Sequence, residues 1–319
     1  MILLLAACES GPDYGPWTRP IRETAEDLAA NPCQAKAALA LAQLYERADQ
    51  DALAVGVLAE FRARCPADDL LRREAYRIAM DSMQWDAAAE AATPAVLDNP
   101  SSARPLIDRA AAWEAKGDAL AAISDLRQAF LLDPRSVDPA KRLAAQQEKA
   151  DQGCKAWDTW GIIWWLSRAT RGEAQVARAR IADAAGCRKL RASGHAEARH
   201  VETPDGLFGF DMLVGDHSAV LGFDSSAPYT VISAALAEKL LLIQEPTPVI
   251  MTSAWGTSAG RPVQLPPVRI GEIEVRELDA LVMENAPPGI DGIVGINFLT
   301  RVDLDHDGEK KWSFDPSGI

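Results

Sequence analysis

The pattern of apolar and polar residues changes once along the chain, at about Leu207. Before this point small and apolar residues recur at helical spacing, and after it come short apolar runs separated by turn residues. The first pattern is typical of packed helices and the second of short strands. The sequence therefore predicts a multidomain chain, α then β, with an α-helical segment followed by a compact all-β domain.

The helical segment contains an internal repeat. Four prolines recur at intervals of 34 residues: Pro32, Pro66, Pro100 and Pro134. Twelve residues before the last three stand small residues: Ala54, Ala88 and Ala122. Small residues allow the two helices of a hairpin to approach closely, and proline ends the second helix because it lacks a backbone N–H. We expect three helical hairpins, at residues 35–68, 69–102 and 103–136, and the pattern resembles the tetratricopeptide repeat.

A fourth, degenerate hairpin is expected to cap this α-solenoid. Ala144 and Ala156 are in phase with the repeat, and a last helix is predicted from about residue 173 to residue 185. Three tryptophans of this unit share one helical face: Trp157, Trp160 and Trp164. That face is interpreted as a packing surface, with a membrane-interface belt as the alternative.

The β segment is predicted to open with a hairpin. Its strands are residues 208–214 and 219–223, joined by a turn at Gly215, Asp216 and His217. Further strand candidates lie at residues 249–251, 263–265, 268–270, 273–275 and 278–283. A helical pattern is confined to residues 233–241. A closing hairpin is expected over residues 302–315, turning at Asp307 and Gly308.

Composition and charge narrow the class of protein. The chain has 319 residues, of which 48% are hydrophobic and 25% charged, which is a globular composition with material for about two domains. The net charge is −13, and phosphate backbones repel an acidic chain, so no nucleic-acid partner is expected.

The first residues resemble a bacterial lipobox. Leu5, Ala6 and Ala7 precede Cys8, and the resemblance implies that Cys8 is lipidated. A lipid at this cysteine would anchor the chain to a membrane without spanning it. Glu9 follows Cys8, which by the same resemblance implies a periplasmic protein at the outer membrane of a Gram-negative bacterium. A frayed apolar terminus is the alternative.

Four further cysteines are an even number, which suits an oxidising compartment. Cys33 and Cys65 flank the first helical hairpin, and Cys154 and Cys187 flank the last. The ends of an antiparallel hairpin come together, so we predict disulfides Cys33–Cys65 and Cys154–Cys187, each worth roughly 3 kcal/mol in the chain-entropy model. Buried free thiols are the alternative.

The chemistry-bearing motif is Asp224-Ser225-Ser226-Ala227, directly after a predicted strand. Ile293-Val294-Gly295 and Asn297 follow further along the chain, and Trp255 and Gly256 lie between the two motifs. In this order the three elements resemble those of retropepsin-like aspartic proteases. The resemblance implies that Asp224 is the catalytic carboxylate, that residues 225–227 complete its loop, and that Trp255 and Gly256 lie in the flap.

One aspartate motif supplies half of such a site. Two carboxylates held together share one proton, one acting on water as a base and the other on the peptide carbonyl as an acid. The resemblance therefore implies a homodimer that contributes Asp224 twice. Ser226 stands where the family has glycine, so a protease-like scaffold without activity is the alternative; the added Cβ is tolerated if φ is negative.

Two other motifs are set aside. Gly256-Thr257-Ser258-Ala259-Gly260 has the spacing of a nucleophile elbow, but no helix pattern follows it. Asp303, Asp305 and Asp307 begin like a calcium loop, yet its twelfth position is Phe314 instead of glutamate. We therefore expect no metal site and no cofactor.

The whole chain is predicted to consist of five segments. The signal remnant spans residues 1–8, a tether 9–30, the tetratricopeptide repeats 31–187, a linker 188–204 and the retropepsin-like domain 205–319. The function expected is a lipid-anchored periplasmic aspartic endopeptidase acting on a protein or peptide substrate, with a protein partner on the concave face of the repeats. A non-catalytic peptide-binding lipoprotein is the alternative.

Overall fold

The structure is a computed structural model, and it describes residues 12–65, 68–185, 187, 192–202, 208–245, 248–253, 256–284, 289–306 and 311–316. Cys8 and Trp255 lie outside these residues, as do Asp307 and Gly308. The chain divides into two compact units, residues 1–122 and residues 123–319. None of the helices in the described ranges combines the length and apolar character needed to cross a bilayer.

Ten α-helices lie in the described residues before position 186. They are α1 (Thr18–Ala30), α2 (Ala35–Arg47), α3 (Asp51–Arg64), α4 (Asp69–Asp81), α5 (Trp85–Asp98), α6 (Ala103–Lys116), α7 (Ala119–Leu132), α8 (Val137–Lys149), α9 (Gly153–Leu166) and α10 (Arg171–Ala185). The helices α2, α4, α6 and α8 begin 34 residues apart, and so do α3, α5, α7 and α9. This spacing confirms a tetratricopeptide-type α-solenoid.

The first unit owes its close helix packing to small residues. Ala42, Ala54, Ala79 and Ala88 are fully buried between neighbouring helices, as the repeat pattern predicts. A larger side chain at these places would push the helix axes apart.

The tether prediction is wrong for most of its length. Residues 18–30 form helix α1, which buries Ile21, Ala25 and Leu28 against the first hairpin. These three residues are spaced four and three apart, which places them on one face of a helix. Their apolar face therefore continues the core of the first unit instead of leaving the segment free.

The strands follow these helices, and short helices lie among them. In chain order the elements are β1 (Ala192–Ser193), β2 (Ala196–Arg199), β3 (Val201–Glu202), β4 (Phe208–Val214), β5 (His217–Phe223), β6 (Thr230–Ser233), α11 (Ala234–Lys239), β7 (Val249–Ser253), β8 (Gly256–Gln264), β9 (Val268–Ile270), β10 (Ile273–Val275), β11 (Asp279–Met283), β12 (Gly292–Val294), α12 (Ile296–Leu299), β13 (Val302–His306) and β14 (Lys311–Pro316). The predicted order, helices and then an all-β domain, is confirmed.

Within the described residues the strands form two sheets. The larger has the strand order β1-β10-β9-β4-β5-β12-β6-β11-β8-β7, with β3 beside β4, and the smaller has the order β13-β14-β2. Strand β12 lies between β5 and β6, parallel to β5 and antiparallel to β6. The chain that joins β5 to β6 must therefore cross the end of β12, and Asp224 lies in that crossing loop.

Part of the predicted linker belongs to the sheets. Residues 192–202 contain β1, β2 and β3, which pair with β10, β14 and β4. His200 is buried there and accepts a hydrogen bond from Trp312 Nε1 to its Nδ1 at 3.1 Å. The other proposed domain limits stay predictions.

The second unit joins helices and strands in one packed body. Trp157 and Trp160 of α9 are buried beside Ile296 of α12, which favours the packing interpretation of the tryptophan face. Gly161 of α9 faces Thr300 so closely that a Cβ would lie 2.9 Å from its Oγ1. Glycine is thus required where α9 meets the end of α12.

Both predicted disulfides are present, Cys33–Cys65 with Cα atoms 5.3 Å apart and Cys154–Cys187 with Cα atoms 5.4 Å apart. Each closes one helical hairpin at its open end.

Removing the second bridge by replacing Cys154 and Cys187 with serine should lower the free energy of unfolding by about 3–4 kcal/mol, because a loop of this length regains its freedom in the unfolded chain. Urea unfolding would measure this. The matched control replaces Cys33 and Cys65, which should weaken the first unit by a similar amount. A loss below about 1 kcal/mol for the second bridge would contradict the entropic account.

Candidate active site

The Asp224 loop is held over Gly295. The Asp224 N–H donates to Val294 O at 3.1 Å, which continues the pairing of β5 with β12 by one residue. At the far side, Ile296 N–H donates to Ala227 O at 2.7 Å and Asn297 N–H to Pro228 O at 3.1 Å. The N–H groups at the start of α12, which have no partner within the helix, therefore bind the carbonyls of the crossing loop.

Gly295 leaves the space that this crossing needs. A Cβ there would lie 2.5 Å from Tyr229 O and 2.7 Å from Ala227 O, distances that backbone atoms cannot accommodate. This gives a physical reason for glycine after Ile293 and Val294, whose side chains are buried. Any other residue at position 295 would displace the loop that carries Asp224.

The side chain of Asn297 holds the end of the same loop by hydrogen bonds. Its Oδ1 accepts hydrogen bonds from Thr230 N–H at 2.8 Å and Thr230 Oγ1 at 3.0 Å, and its Nδ2 donates to Asp279 O at 2.7 Å. The side chain is buried, and a buried amide with these partners holds β6, β11 and α12 in one arrangement.

The Asp224 carboxylate is half-buried, while Ser225 and Ser226 are exposed. Asp224 Oδ1 accepts two hydrogen bonds from Ser226, one from its N–H at 2.8 Å and one from its Oγ at 2.6 Å. Ser226 is not among the residues with a positive φ, so serine is accommodated there without backbone strain. The hydroxyl thus adds a second hydrogen bond to a carboxylate oxygen that, with glycine at position 226, could accept from the backbone N–H alone.

A second carboxylate does not reach Asp224 by a hydrogen bond within the residues that the structure describes. Asp291 is the acidic residue at the opposite end of β12, where its Oδ2 accepts from Val220 N–H at 2.9 Å. Its place in the strand register is level with Val220, four residues from that of Asp224, which is roughly 13 Å along the strand. It acts in the packing of β5 and β12 and does not complete a pair.

The predicted flap is a β-hairpin. Strands β7 and β8 pair from Val249 opposite Gly260 to Ser253 opposite Gly256, and Trp255 lies outside the described residues. Gly256 begins β8, and Ser258 is also inside this strand, which excludes the nucleophile-elbow geometry. Strand β7 is the edge strand of the larger sheet, and among the described strands it pairs with β8 alone.

Tyr229 and Arg127 were not anticipated from the sequence. Tyr229 ends the crossing loop, and burial, together with the negative charge of Asp279, raises the pKa of its hydroxyl. Arg127 of α7 donates to Glu245 with Nη2 to Oε2 at 2.8 Å. Burial lowers the pKa of Arg127, but the hydrogen bond and charge of Glu245 outweigh it, so the net pKa shift is upward. No sequence signal links α7 to a segment over one hundred residues away.

Comparisons with known proteins agree with this geometry. Residues 210–298 match a family model described as "Aspartyl protease". No curated protein matches the chain.

Solved structures give more distant likenesses. One is a retropepsin-like aspartic protease from Rickettsia conorii, at 19% identity and a TM-score of 0.29, over 38% of this chain and 90% of that one. Others are MamA, at 16% identity and 0.34, over 52% and 87%, and MamA from Desulfovibrio magneticus RS-1, at 16% and 0.35, over 49% and 88%.

The family match covers the loop, the flap hairpin and the Ile293-Val294-Gly295 strand, which are the elements that the geometry joins around Asp224. The C-terminal part of the chain is therefore a retropepsin-like aspartyl protease domain, and tetratricopeptide-type helices precede it.

Proposed function

We propose that the protein is an aspartic endopeptidase whose active site forms when two chains each contribute Asp224. The observation that carries this proposal is the position of Asp224 at the end of β5, with a partly exposed carboxylate on a loop fixed by Gly295 and Asn297. A carboxylate held rigidly at a surface can meet its own copy across a two-fold axis, because such an interface brings the same residue from each chain together.

The chemistry follows from the closeness of two carboxylates. Two like charges in contact are costly, so the pair keeps one proton between them. The ionised member takes a proton from water, and the water oxygen forms a bond to the peptide carbonyl carbon. The protonated member gives its proton to the carbonyl oxygen. When the C–N bond breaks, the carboxyl that took the proton from water gives it to the leaving nitrogen, and the other carboxylate takes a proton from a hydroxyl of the intermediate, so the pair again holds one proton.

The cellular setting belongs to the same proposal. Two disulfides are typical of proteins outside the cytoplasm, and a lipid on Cys8 would hold the chain at the periplasmic face of the outer membrane. The helical repeats would bind a protein partner along their concave face and bring it to the protease domain.

Sedimentation and cleavage measured on the same samples test the paired site. Over a dilution series, cleavage of an unfolded protein substrate per mole of chain should fall together with the fraction of dimer. Full cleavage by a sample that sediments only as monomer would reject the paired site.

A non-catalytic, peptide-binding scaffold is the second candidate, and the 2.6 Å hydrogen bond from Ser226 Oγ to Asp224 favours it. That bond competes with water for Oδ1, and a hydrogen bond to a charged group is worth about 1.5–3 kcal/mol.

If this bond restrains an active enzyme, Ser226→Gly should raise kcat by about tenfold, since about 1.4 kcal/mol corresponds to that factor. Ser226→Ala is the matched control, because it removes the hydroxyl and keeps the Cβ. A rise in both variants assigns the restraint to the hydroxyl, and a rise in Ser226→Gly alone assigns it to the Cβ. An unchanged kcat in both would show that Ser226 does not restrain catalysis.

A further inference from the structure

Strand β7 lies at the edge of the larger sheet, with β8 as its strand neighbour. The outer side of an edge strand presents N–H and C=O groups that need partners. Ile250 stands opposite Ala259 of β8 in the middle of β7. Its two backbone polar groups are bonded from outside the sheet, and the partner is a side chain.

The partner is Gln128 of α7. Gln128 Nε2 donates to Ile250 O at 3.0 Å, and Ile250 N–H donates to Gln128 Oε1 at 3.2 Å. A carboxamide has one donor and one acceptor side, so it pairs with both groups of Ile250 as a neighbouring strand would. The single side chain therefore closes the sheet edge at this residue.

Neighbouring residues of α7 extend the contact. Arg127 forms an ion pair with Glu245, four residues before β7 begins. Leu131, one turn after Gln128, is 2% exposed and packs in one apolar cluster with Val249 and Ala227. Ala227 belongs to the Asp224 loop, so Leu131 of α7 shares one apolar cluster with the base of the flap hairpin and with that loop.

We propose that Gln128 is a positioning residue that fixes the base of the flap hairpin relative to the Asp224 loop. Its effect on cleavage rests on the proposed function, whereas the anchoring of β7 stands without it. Because Ile250 is held from the side, the middle of β7 is expected to keep its position relative to α7.

Hydrogen exchange at the Ile250 amide tests the anchoring directly. In Gln128→Ala this amide loses its acceptor, and its exchange should become at least about tenfold faster, because a hydrogen bond of about 1.4 kcal/mol is lost. Gln128→Glu keeps an oxygen for the Ile250 N–H and loses the donor to Ile250 O. It should restore a large part of the protection, so the order wild type, Gln128→Glu, Gln128→Ala is expected.

The matched control is Gln147→Ala on α8. Gln147 also accepts a side-chain hydrogen bond, from Thr159 Oγ1 at 2.8 Å, and it lies in the same compact unit. This variant should leave the Ile250 amide as protected as in the wild type. Equal protection in Gln128→Ala and Gln147→Ala would overturn the proposal.

Cleavage gives the second readout. In the active enzyme, Gln128→Ala should raise KM several-fold and change kcat less, because a loosened flap binds substrate more weakly while Asp224 is untouched. Faster exchange with an unchanged KM would limit Gln128 to stabilising the sheet edge and overturn its role in the site. A wild type without cleavage would reject the proposed function, and the exchange result would still decide the anchoring.

Discussion

Asp158→Ala is expected to lower the free energy of unfolding of the second unit by about 3–5 kcal/mol. Asp158 lies on α9, and its carboxylate pairs with Arg301, which directly precedes β13. The two bonds run from Arg301 Nε to Oδ1 at 3.0 Å and from Nη2 to Oδ2 at 2.7 Å. The Asp158 side chain is 12% exposed and the Arg301 side chain is 1% exposed.

The size of this effect comes from the charge that is left behind. Without Asp158 the Arg301 guanidinium stays buried, and the partners that it keeps include the carbonyls of Arg276 at 2.7 Å and Glu277 at 3.4 Å. Neutral carbonyls do not replace the charge of Asp158, and removing one partner of a buried ion pair is strongly destabilising.

Denaturant unfolding would measure the loss, with Glu173→Ala as the control. Glu173 pairs with Lys141 in the same unit, but its side chain is 53% exposed. Removing an exposed ion pair should change stability by at most about 1 kcal/mol. If Asp158→Ala were no more destabilising than Glu173→Ala, the buried pair would not join α9 to the protease domain.

Asp224→Asn is expected to lower kcat/KM for peptide cleavage by a factor of about a thousand or more, because an amide can neither take a proton from water nor share one with its copy. The substitution is nearly isosteric, and the amide oxygen still accepts from Ser226 N–H. Stability should therefore change little, so that lost activity reports chemistry and not unfolding.

Asp216→Asn provides the control for removing an acidic group. Asp216 lies in the turn between β4 and β5 with a side chain that is 98% exposed. It should keep the cleavage rate of the wild type. Equal cleavage by Asp224→Asn and Asp216→Asn would assign the activity to something other than Asp224.

Local patterns in the sequence suffice for much of the fold. The prolines and alanines at 34-residue intervals predict the hairpins α2 to α7, because each hairpin is stabilised by contacts within one repeat and to the next. The hairpin of β4 with β5 and both disulfides also follow from local spacing, whereas the hairpin of β7 with β8 is expected from the family resemblance. Gly295 is identified through the family resemblance, and the crossing loop above it supplies the physical reason for a glycine.

Contacts between distant segments are the part that local patterns miss. Asp158 and Arg301 are 143 residues apart, and Gln128 and Ile250 are 122 apart. Each residue alone looks like an ordinary polar position on a helix or strand. Their meaning depends on the packing of α7 and α9 with the strands, which no periodicity within either segment reveals.

Contacts of α9 and α10 with residues 300 and 301 are also missed by local sequence patterns. A fragment of residues 205–319, the predicted protease domain, would contain Arg301 without Asp158. It would also lack Arg178, which donates from Nη2 to Thr300 O at 2.8 Å and stacks on Trp157 with Cζ 3.9 Å from the ring centroid. The helical cap therefore supports the protease domain through buried polar contacts as well as through apolar area.

The most direct test of the central claim mixes wild-type chains with Asp224→Asn chains at constant total concentration and measures cleavage after subunits have exchanged. If each active site needs Asp224 from two chains, an equal mixture retains about one quarter of the wild-type rate, because only that fraction of randomly formed dimers has two intact carboxylates. Retention of about one half would mean that one chain suffices, and would contradict the paired site.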